Sequence, residues 1–178
     1  MNSEIYLTKL SVNDDEALER ATLAHSESVL GCEFTNGAKK DLIEYIEDMN
    51  NYYGSDVFAI DASGEELSFG LMTVCSNDDG EITIEDLFVR EAARKRGIGR
   101  AAIKALASEY PDARAVKLYS LKSAEGFYQR IGFDQISPAD NKCLSLWRKN
   151  WIDRIKSFRY NRKVLIRPAG RSFSFMEV

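Results

Sequence analysis

A cluster of basic residues around two glycines is the first feature of this sequence that could do chemistry. Residues 94–100 read RKRGIGR. Glycines let the main chain approach another group closely, and the N–H groups at the start of a helix attract anions, as basic side chains do. The segment therefore predicts either a cradle for an anionic group or an ordinary helix start with a solvated basic face.

Two common phosphate-binding motifs do not account for these glycines. A dinucleotide fingerprint needs a strand that leads directly into its first glycine and an acidic residue about twenty positions later. Here a loop separates the predicted strand from Gly97, and the later position holds Lys117 and Leu118. The GxxxxGK[ST] pattern of a P-loop is absent as well. What remains is the anion cradle or the plain helix start.

Composition restricts the class of protein. The chain has 178 residues, of which 44% are hydrophobic and 29% are charged, as expected for one globular domain with or without an appendage. Three scattered cysteines and a single histidine, His25, argue against a disulfide framework, a metal site or a serine–histidine triad. Because we find no signal peptide and no membrane-spanning run, we expect a cytoplasmic protein. The scarcity of cysteine and histidine leads us to expect that it uses no metal.

Charge divides the chain into an acidic body and a basic end. Residues 148–178 carry a net charge of +7, whereas residues 1–147 carry −11. We therefore predict one domain over residues 1–148 and a basic, aromatic-rich extension over residues 149–178.

The extension has its own pattern of elements. The helical spacing of Trp151, Ile155 and Phe158 predicts a short helix, and a turn at 168–170 between two strand-like runs predicts a hairpin. Basic and aromatic residues together can bind nucleic acid. The opposite charge of the body favours instead an extension that packs on its own domain or on the second subunit of a homodimer.

The body alternates between strands and helices. The predicted elements are a strand at EIYLTKL, helices over about 14–30 and 38–50, strands at DVFAIDA, ELSFGLMTV and EITIEDLFV, a helix from Gly97 to about Glu109, a strand at AVKLYS, a short helix at SAEGFYQRIG, and strand-like segments around Phe133 and at CLSLW. The fold class is α/β of the α+β kind, with a largely antiparallel sheet flanked by helices.

Two motifs in this order resemble the signatures of the GNAT acetyltransferase superfamily. Arg94-x-x-Gly97-x-Gly99 is similar to the family's R/Q-x-x-G-x-G/A, and AEGFYQRIGF at 124–133 is similar to A-x-x-F-Y-x-x-x-G-F. The resemblance covers residues 80–135 closely and the N-terminal half only in the order of elements. The sequence departs from the family at Leu121, where many members have an asparagine that contacts the cofactor.

This resemblance implies a GNAT fold and the transfer of an acetyl group from acetyl-CoA, as cosubstrate, to an amine. The acceptor would be a small polyamine-like or antibiotic-like molecule, or a protein amino group. The main chain of Leu87, Phe88 and Val89 would bind the pantetheine arm. The residues around the pyrophosphate would be Arg94, Lys95, Arg96, Gly97, Ile98, Gly99 and Arg100.

The resemblance also implies two catalytic residues. Tyr128 occupies the family's general-acid position, from which a phenol would protonate a leaving thiolate. A core aromatic is the alternative interpretation of Tyr128. Glu85 stands where polyamine and aminoglycoside members have a glutamate that deprotonates the amine, and a solvated strand carboxylate is the alternative. Strand alternation predicts that only one of Glu85 and Asp86 faces the cleft.

Several features leave alternatives open. A GNAT-derived binding module without strong catalysis, whose extension contacts nucleic acid or a protein, is the rival function. It is favoured by Leu121 and opposed by the retained tyrosine and glycines. His25 is predicted to be packed and hydrogen-bonded, and Glu44, Glu47 and Asp48 form either a solvated helix face or a surface for a cationic substrate. Tyr52 and Tyr53 fit either the core or the acceptor cleft.

Overall fold

A seven-stranded mixed sheet organises the protein in a computed structural model that describes residues 4–30, 37–137 and 144–150. The order of strands is β1-β2-β3-β4-β5-β7-β6. The elements are β1 (Ile5–Lys9), α1 (Asp15–Leu30), α2 (Ala38–Asp48), β2 (Ser55–Ala62), β3 (Gly70–Ser76), β4 (Glu81–Val89), α3 (Ile98–Glu109), β5 (Ala115–Leu121), α4 (Glu125–Arg130), β6 (Asp134–Ser137) and β7 (Leu144–Asn150).

The sheet contains one parallel pair of strands, and its other neighbouring strands are antiparallel. β1 to β4 form an antiparallel run, and β5, β7 and β6 pair antiparallel on the other side. β4 and β5 pair in parallel, with α3 in the connection between them. The predicted class, a largely antiparallel sheet flanked by helices, is therefore confirmed.

Two hydrophobic cores cover the two faces of the sheet. Apolar residues of α3 and α4, such as Leu106 and Tyr128, pack on one face. On the other face lie α1 and α2, where Leu42 and Ile46 are one helical turn apart and fully buried. Tyr53, which fitted either the core or the acceptor cleft, is 48% exposed, and it follows the end of α2 at Asp48 in a π-helical turn.

A buried ion cluster joins β4, β5 and β7. The carboxylate of Glu81 on β4, only 3% exposed, lies 2.6 Å from Nη2 of Arg148 on β7 and also pairs with Nζ of Lys117 on β5. A buried carboxylate between two cations is costly to break. The cluster therefore fixes the first half of β4, Glu81–Ile84, against β5 and β7.

The predicted division of the chain falls at the end of the described region. β7 runs to Asn150, so the boundary expected at residue 148 lies inside this strand. The helix and hairpin predicted for the extension lie outside the described residues and stay predictions.

Candidate active site

The site is an opening between two parallel strands. β4 pairs with β3 along its length, but with β5 only where Glu81–Ile84 faces Ala115–Leu118. From Glu85 onward, the edge of β4 that faces β5 has no strand partner in the described part of the chain. Unpaired main-chain N–H and C=O groups on such an edge can bind an extended ligand as an added strand.

The second half of β4, from Glu85 to Val89, is held closely against β3. A Cβ atom on Gly70 would lie 2.0 Å from the Phe88 carbonyl oxygen, so only glycine permits this approach of the two strands. The side chains of Leu87, Phe88 and Val89 are all at least nine-tenths buried. Their side chains are therefore closed to a ligand, which leaves only main-chain groups on the edge of β4 that faces β5.

Arg94 braces the end of β4. Its Nε donates to the Val89 carbonyl at 2.9 Å, and its guanidinium lies over the Phe88 ring at 5.6 Å from the centroid. In this arrangement Arg94 positions the loop that follows β4, and the Val89 carbonyl already accepts one hydrogen bond.

The loop before α3 has the geometry of an anion cradle. Lys95 and Gly97 have left-handed φ values of 61° and 83°, and alternation of this kind turns N–H groups toward a common concavity. The first hydrogen bond of α3 runs from Ala101 N–H to the Gly97 carbonyl, and no side chain caps the helix. The N–H groups of 98–100 therefore precede the first helical bond and point beyond the helix end.

Space and charge around this loop also suit an anion. A Cβ atom on Gly97 would meet nothing within 4 Å, so the volume beside this main chain is open. The side chains of Lys95, Arg96 and Arg100 are exposed. Ile98, by contrast, is buried at 7% exposure and contributes its main chain alone.

Gly99 has a second reason to be small. A Cβ atom there would lie 3.3 Å from Cζ of Phe127 on α4 and 3.7 Å from Cγ2 of Val89. Gly99 is buried where α3 passes α4, so substitutions at this position disturb the packing of α3 as well as any ligand.

Tyr128 lies at the centre of an aromatic group. It is fully buried, and its ring centroid is 5.0 Å from Phe127, 5.6 Å from Phe133 and 6.5 Å from Trp147. Burial raises the pKa of its phenol, and the negative charge of Asp86 raises it further. Tyr128 is therefore packed among aromatic side chains, and its phenol stays protonated at neutral pH.

A β-bulge overturns the expectation that only one of two carboxylates faces the cleft. Thr73 of β3 pairs with Asp86 and Val74 pairs with Ile84, which leaves Glu85 as the extra residue of β4. The residues of β4 that share one core are Ile82, Ile84, Leu87 and Val89. Glu85 and Asp86 consequently lie together on the other side of the strand. Strict alternation was wrong here.

The two carboxylates have different surroundings. Oε2 of Glu85 accepts a hydrogen bond of 2.6 Å from Oγ of Ser55, which is buried at the start of β2. Asp86 is half-buried and makes no ion pair with the described residues. Burial raises the pKa of its carboxyl to about 6, an effect that a hydrogen bond from the Leu87 N–H partly offsets.

Tyr45 completes this side of the site. Its hydroxyl shares a hydrogen bond of 2.7 Å with Oγ1 of Thr73, the partner of Asp86 in the sheet. Burial raises the pKa of Tyr45, and the charges of Asp86 and Glu85 raise it further. From the sequence, Asp86 was considered only as the neighbour of Glu85, and Tyr45 was not placed in the site. The adjacent acidic pair was visible, but nothing in the sequence marks Tyr45 as its neighbour.

A shallow acidic pocket adjoins Tyr45 between α1 and α2. It encloses about 350 Å³ and is lined by His25, Ser26, Val29, Asp41, Glu44, Tyr45 and Asp48. His25 is packed as predicted, 5% exposed and 5.2 Å from the Tyr45 ring, but its Nδ1 has no hydrogen-bond partner among the described residues. Burial lowers the pKa of His25, with a smaller opposing effect of Asp41. A neutral imidazole and three carboxylates make this pocket suitable for a cation.

The remaining aromatic residues are resolved by exposure. Tyr52 is 78% exposed, and like Tyr53 it belongs to the π-helical turn at 49–53, so neither is a core residue.

Across 4–30, 37–137 and 144–150, no helix is long and apolar enough to span a membrane. In the same residues no group of histidine, cysteine and acidic side chains is arranged to hold a metal ion.

A mixed sheet opens at one parallel pair, beside a basic loop at a helix start. The family model of the GNAT acetyltransferase domain matches residues 53–135, which contain this opening and both sequence motifs. Residues 53–135 therefore correspond to a GNAT acetyltransferase domain. No curated protein matches the chain by sequence.

Solved structures share the fold at low sequence identity. An acetyltransferase from Thermus thermophilus is 18% identical, with a TM-score of 0.63, and the match covers 82% of this chain and 96% of that one. The PaiA N-acetyltransferase from Thermoplasma acidophilum, in complex with coenzyme A, is 15% identical, with a TM-score of 0.57 and coverage of 83% and 99%. A chimera of the spermidine N-acetyltransferase SpeG from Vibrio cholerae with hSSAT is 13% identical, with a TM-score of 0.62 and coverage of 86% and 99%.

Proposed function

We propose that this protein transfers the acetyl group of acetyl-CoA to a primary amine of a small cationic molecule. The observation that carries the proposal is the unpaired edge of β4 beyond Ile84, which lies next to the open loop before α3. The edge suits an extended amide-containing arm, and the loop suits a pyrophosphate.

The residues present fit acetyl-CoA. The N–H groups of 95–100 and the exposed side chains of Lys95, Arg96 and Arg100 would hold the pyrophosphate. The main chain of 87–89 would bind the pantetheine arm. An N–H group on this edge would also polarise the thioester carbonyl, as an oxyanion hole does.

Proton transfer is assigned to the residues beside the opening. Tyr128 would donate its phenolic proton to the departing thiolate, whose thiol has an ordinary pKa of about 8.5. The acceptor arrives as an ammonium ion with a pKa of about 10.4 and must lose a proton before it can attack. The resemblance assigns this step to Glu85.

The pocket between α1 and α2 supports a cationic acceptor. Asp41, Glu44 and Asp48 are exposed around it, and the hydroxyl of Tyr45 shares a hydrogen bond with Thr73, which pairs with Asp86 in the sheet. Acidic walls attract an amine and raise its local concentration. This favours a small molecule with more than one positive charge over a neutral amine.

The function is tested by turnover with the purified full-length chain. Release of free CoA thiol from acetyl-CoA would be measured with aliphatic diamines, aminoglycosides and lysine-containing peptides as acceptors. We expect turnover with at least one diamine or aminoglycoside, and calorimetry should show that CoA binds. Failure of CoA to bind would contradict the proposal.

The Tyr128→Phe variant tests the assignment of the acid. Because phenylalanine keeps the ring contacts, we expect kcat to fall by about 10²–10⁴-fold with little change in CoA affinity. Tyr52→Phe, at an exposed position, is the matched control. A wild-type rate in Tyr128→Phe would leave Tyr128 with its packing role alone.

A further inference from the structure

Asp86 is a half-buried carboxylate that the chemistry above does not use. It lies at the bulge of β4, opposite Thr73, and Thr73 in turn holds the hydroxyl of Tyr45. The groups that act on its carboxylate within the described residues are the Leu87 N–H, Tyr45 and Tyr128. None of these is a cation.

An unpaired carboxylate in such a position destabilises the fold unless a cation or a proton neutralises it. Elsewhere on the same strand, Glu81 is surrounded by Lys117 and Arg148. Asp86 lacks a counter-charge of this kind in the described structure. A positively charged ligand beside Asp86 would supply it.

Glu85, the residue assigned by resemblance, is placed less favourably for the same task. The hydroxyl of Ser55 donates to its carboxylate at 2.6 Å and directs it toward the start of β2. The charge of Asp86 raises the pKa of both tyrosines of the site, and at Tyr45 its effect is larger than that of Glu85. Asp86 therefore influences both tyrosines, whereas the carboxylate of Glu85 is bound by the hydroxyl of Ser55.

We infer that Asp86, rather than Glu85, takes the proton that the acceptor ammonium must lose before acetyl transfer. The inference rests on the proposed function. One N–H proton passes to the Asp86 carboxylate, and the free amine nitrogen then forms a bond to the thioester carbonyl carbon. As the C–S bond breaks, Tyr128 protonates the sulfur, and a second proton from the nitrogen restores the phenol. Asp86 finally releases its proton to water, which leaves an amide and a free thiol.

The electrostatics of the site agree with this assignment. With a carboxyl pKa of about 6, Asp86 is ionised at neutral pH and is a stronger base than an ordinary aspartate. The titratable groups that interact electrostatically with Asp86 are Tyr45 and Tyr128, and both tyrosines stay neutral because burial raises their pKa values. Asp86 would be protonated, and unable to accept a proton, as the pH falls below about 6.

Two isosteric variants separate the carboxylates. We expect Asp86→Asn to lower kcat/KM for the best amine acceptor by about 10²–10⁴-fold and to remove the loss of activity that wild type shows as the pH falls through about 6. Glu85→Gln should stay within about tenfold of wild type and keep that acidic limb, since Asp86 is intact. Asp86→Glu should recover part of the rate. Calorimetry with CoA and thermal melting of each variant would show that the cosubstrate site and the fold are retained.

Different results would overturn different statements. If wild type is active and Asp86→Asn keeps both its rate and its acidic limb, the inference fails while the proposed function stands. The inference also fails if Glu85→Gln, and not Asp86→Asn, abolishes the limb. If wild type transfers acetyl groups to no amine at any pH, the proposed function and the inference fail together.

Discussion

Two of the acidic residues of β4, one in each half of the strand, differ in how their charge is compensated. Glu81, in the half that pairs with β5, is 3% exposed and sits between Lys117 and Arg148. Asp86, in the half where β4 and β5 separate, has no such cations in the described structure. The first carboxylate holds three strands together, and the second is the one that we infer a cationic ligand compensates. Two acids of one strand thus differ in counter-charge, and this difference is what the predictions below test.

The largest expected effect on stability comes from removing the charge of Glu81, which two cations compensate. Glu81→Gln leaves Lys117 and Arg148 without their shared anion, so we expect a loss of about 3 kcal/mol or more in the free energy of unfolding. Denaturant unfolding at pH 7 would measure it, with Glu91→Gln at an exposed position as control. An unchanged midpoint would mean that the cluster does not hold β4, β5 and β7 together.

For Asp86, in the second half of β4, we expect removal of the charge to change stability in the opposite direction. The folded pKa of Asp86, about 6, exceeds the unfolded value of about 3.9, so its ionisation lowers stability as pH rises from 4 to 6, by roughly 3 kcal/mol above pH 6. Asp86→Asn removes this penalty. We expect a higher melting temperature than wild type at pH 8 and no gain at pH 4. A loss of stability at pH 8 would show that the carboxylate is compensated after all.

The smallest expected effect concerns the basic loop beside the open half. Arg100→Gln removes an exposed charge from the first turn of α3, and we expect CoA affinity to fall by about tenfold, since hydrogen bonds to charged groups contribute about 1.5–3 kcal/mol. Lys104→Gln, one turn later and also exposed, should have little effect. Calorimetry at low and high salt would compare them, and equal losses would point to general attraction rather than a cradle.

The two glycines of the loop before α3 resist substitution for different reasons. A side chain on Gly99 would press on Phe127, so loss of CoA binding in a Gly99→Val variant would not separate ligand contact from packing. Gly97 faces open space but needs its left-handed φ of 83°, which makes any side chain there strained. The two glycines of one motif are thus required for different physical reasons.

Much of the fold and of the loop before α3 was predictable because the signals are local. Apolar spacing located α1, α2 and α3, and the predicted strands agree with β1 to β5 within a few residues. The glycine motif marked a helix start, and the structure has α3 begin there without a side-chain cap. Such features depend on residues a few positions apart, so composition and spacing contain them.

The sequence by itself determined the order of elements, the division into acidic and basic parts, and the loop before α3. Only the tertiary structure decided that Glu85 and Asp86 share one side of β4, because the bulge arises from the pairing of β4 with β3. The position of Tyr45 beside Thr73 and the unpaired edge beyond Ile84 are likewise set by elements distant in sequence. The charge state of Asp86 follows from that environment, because burial, not residue type, raises the pKa of its carboxyl.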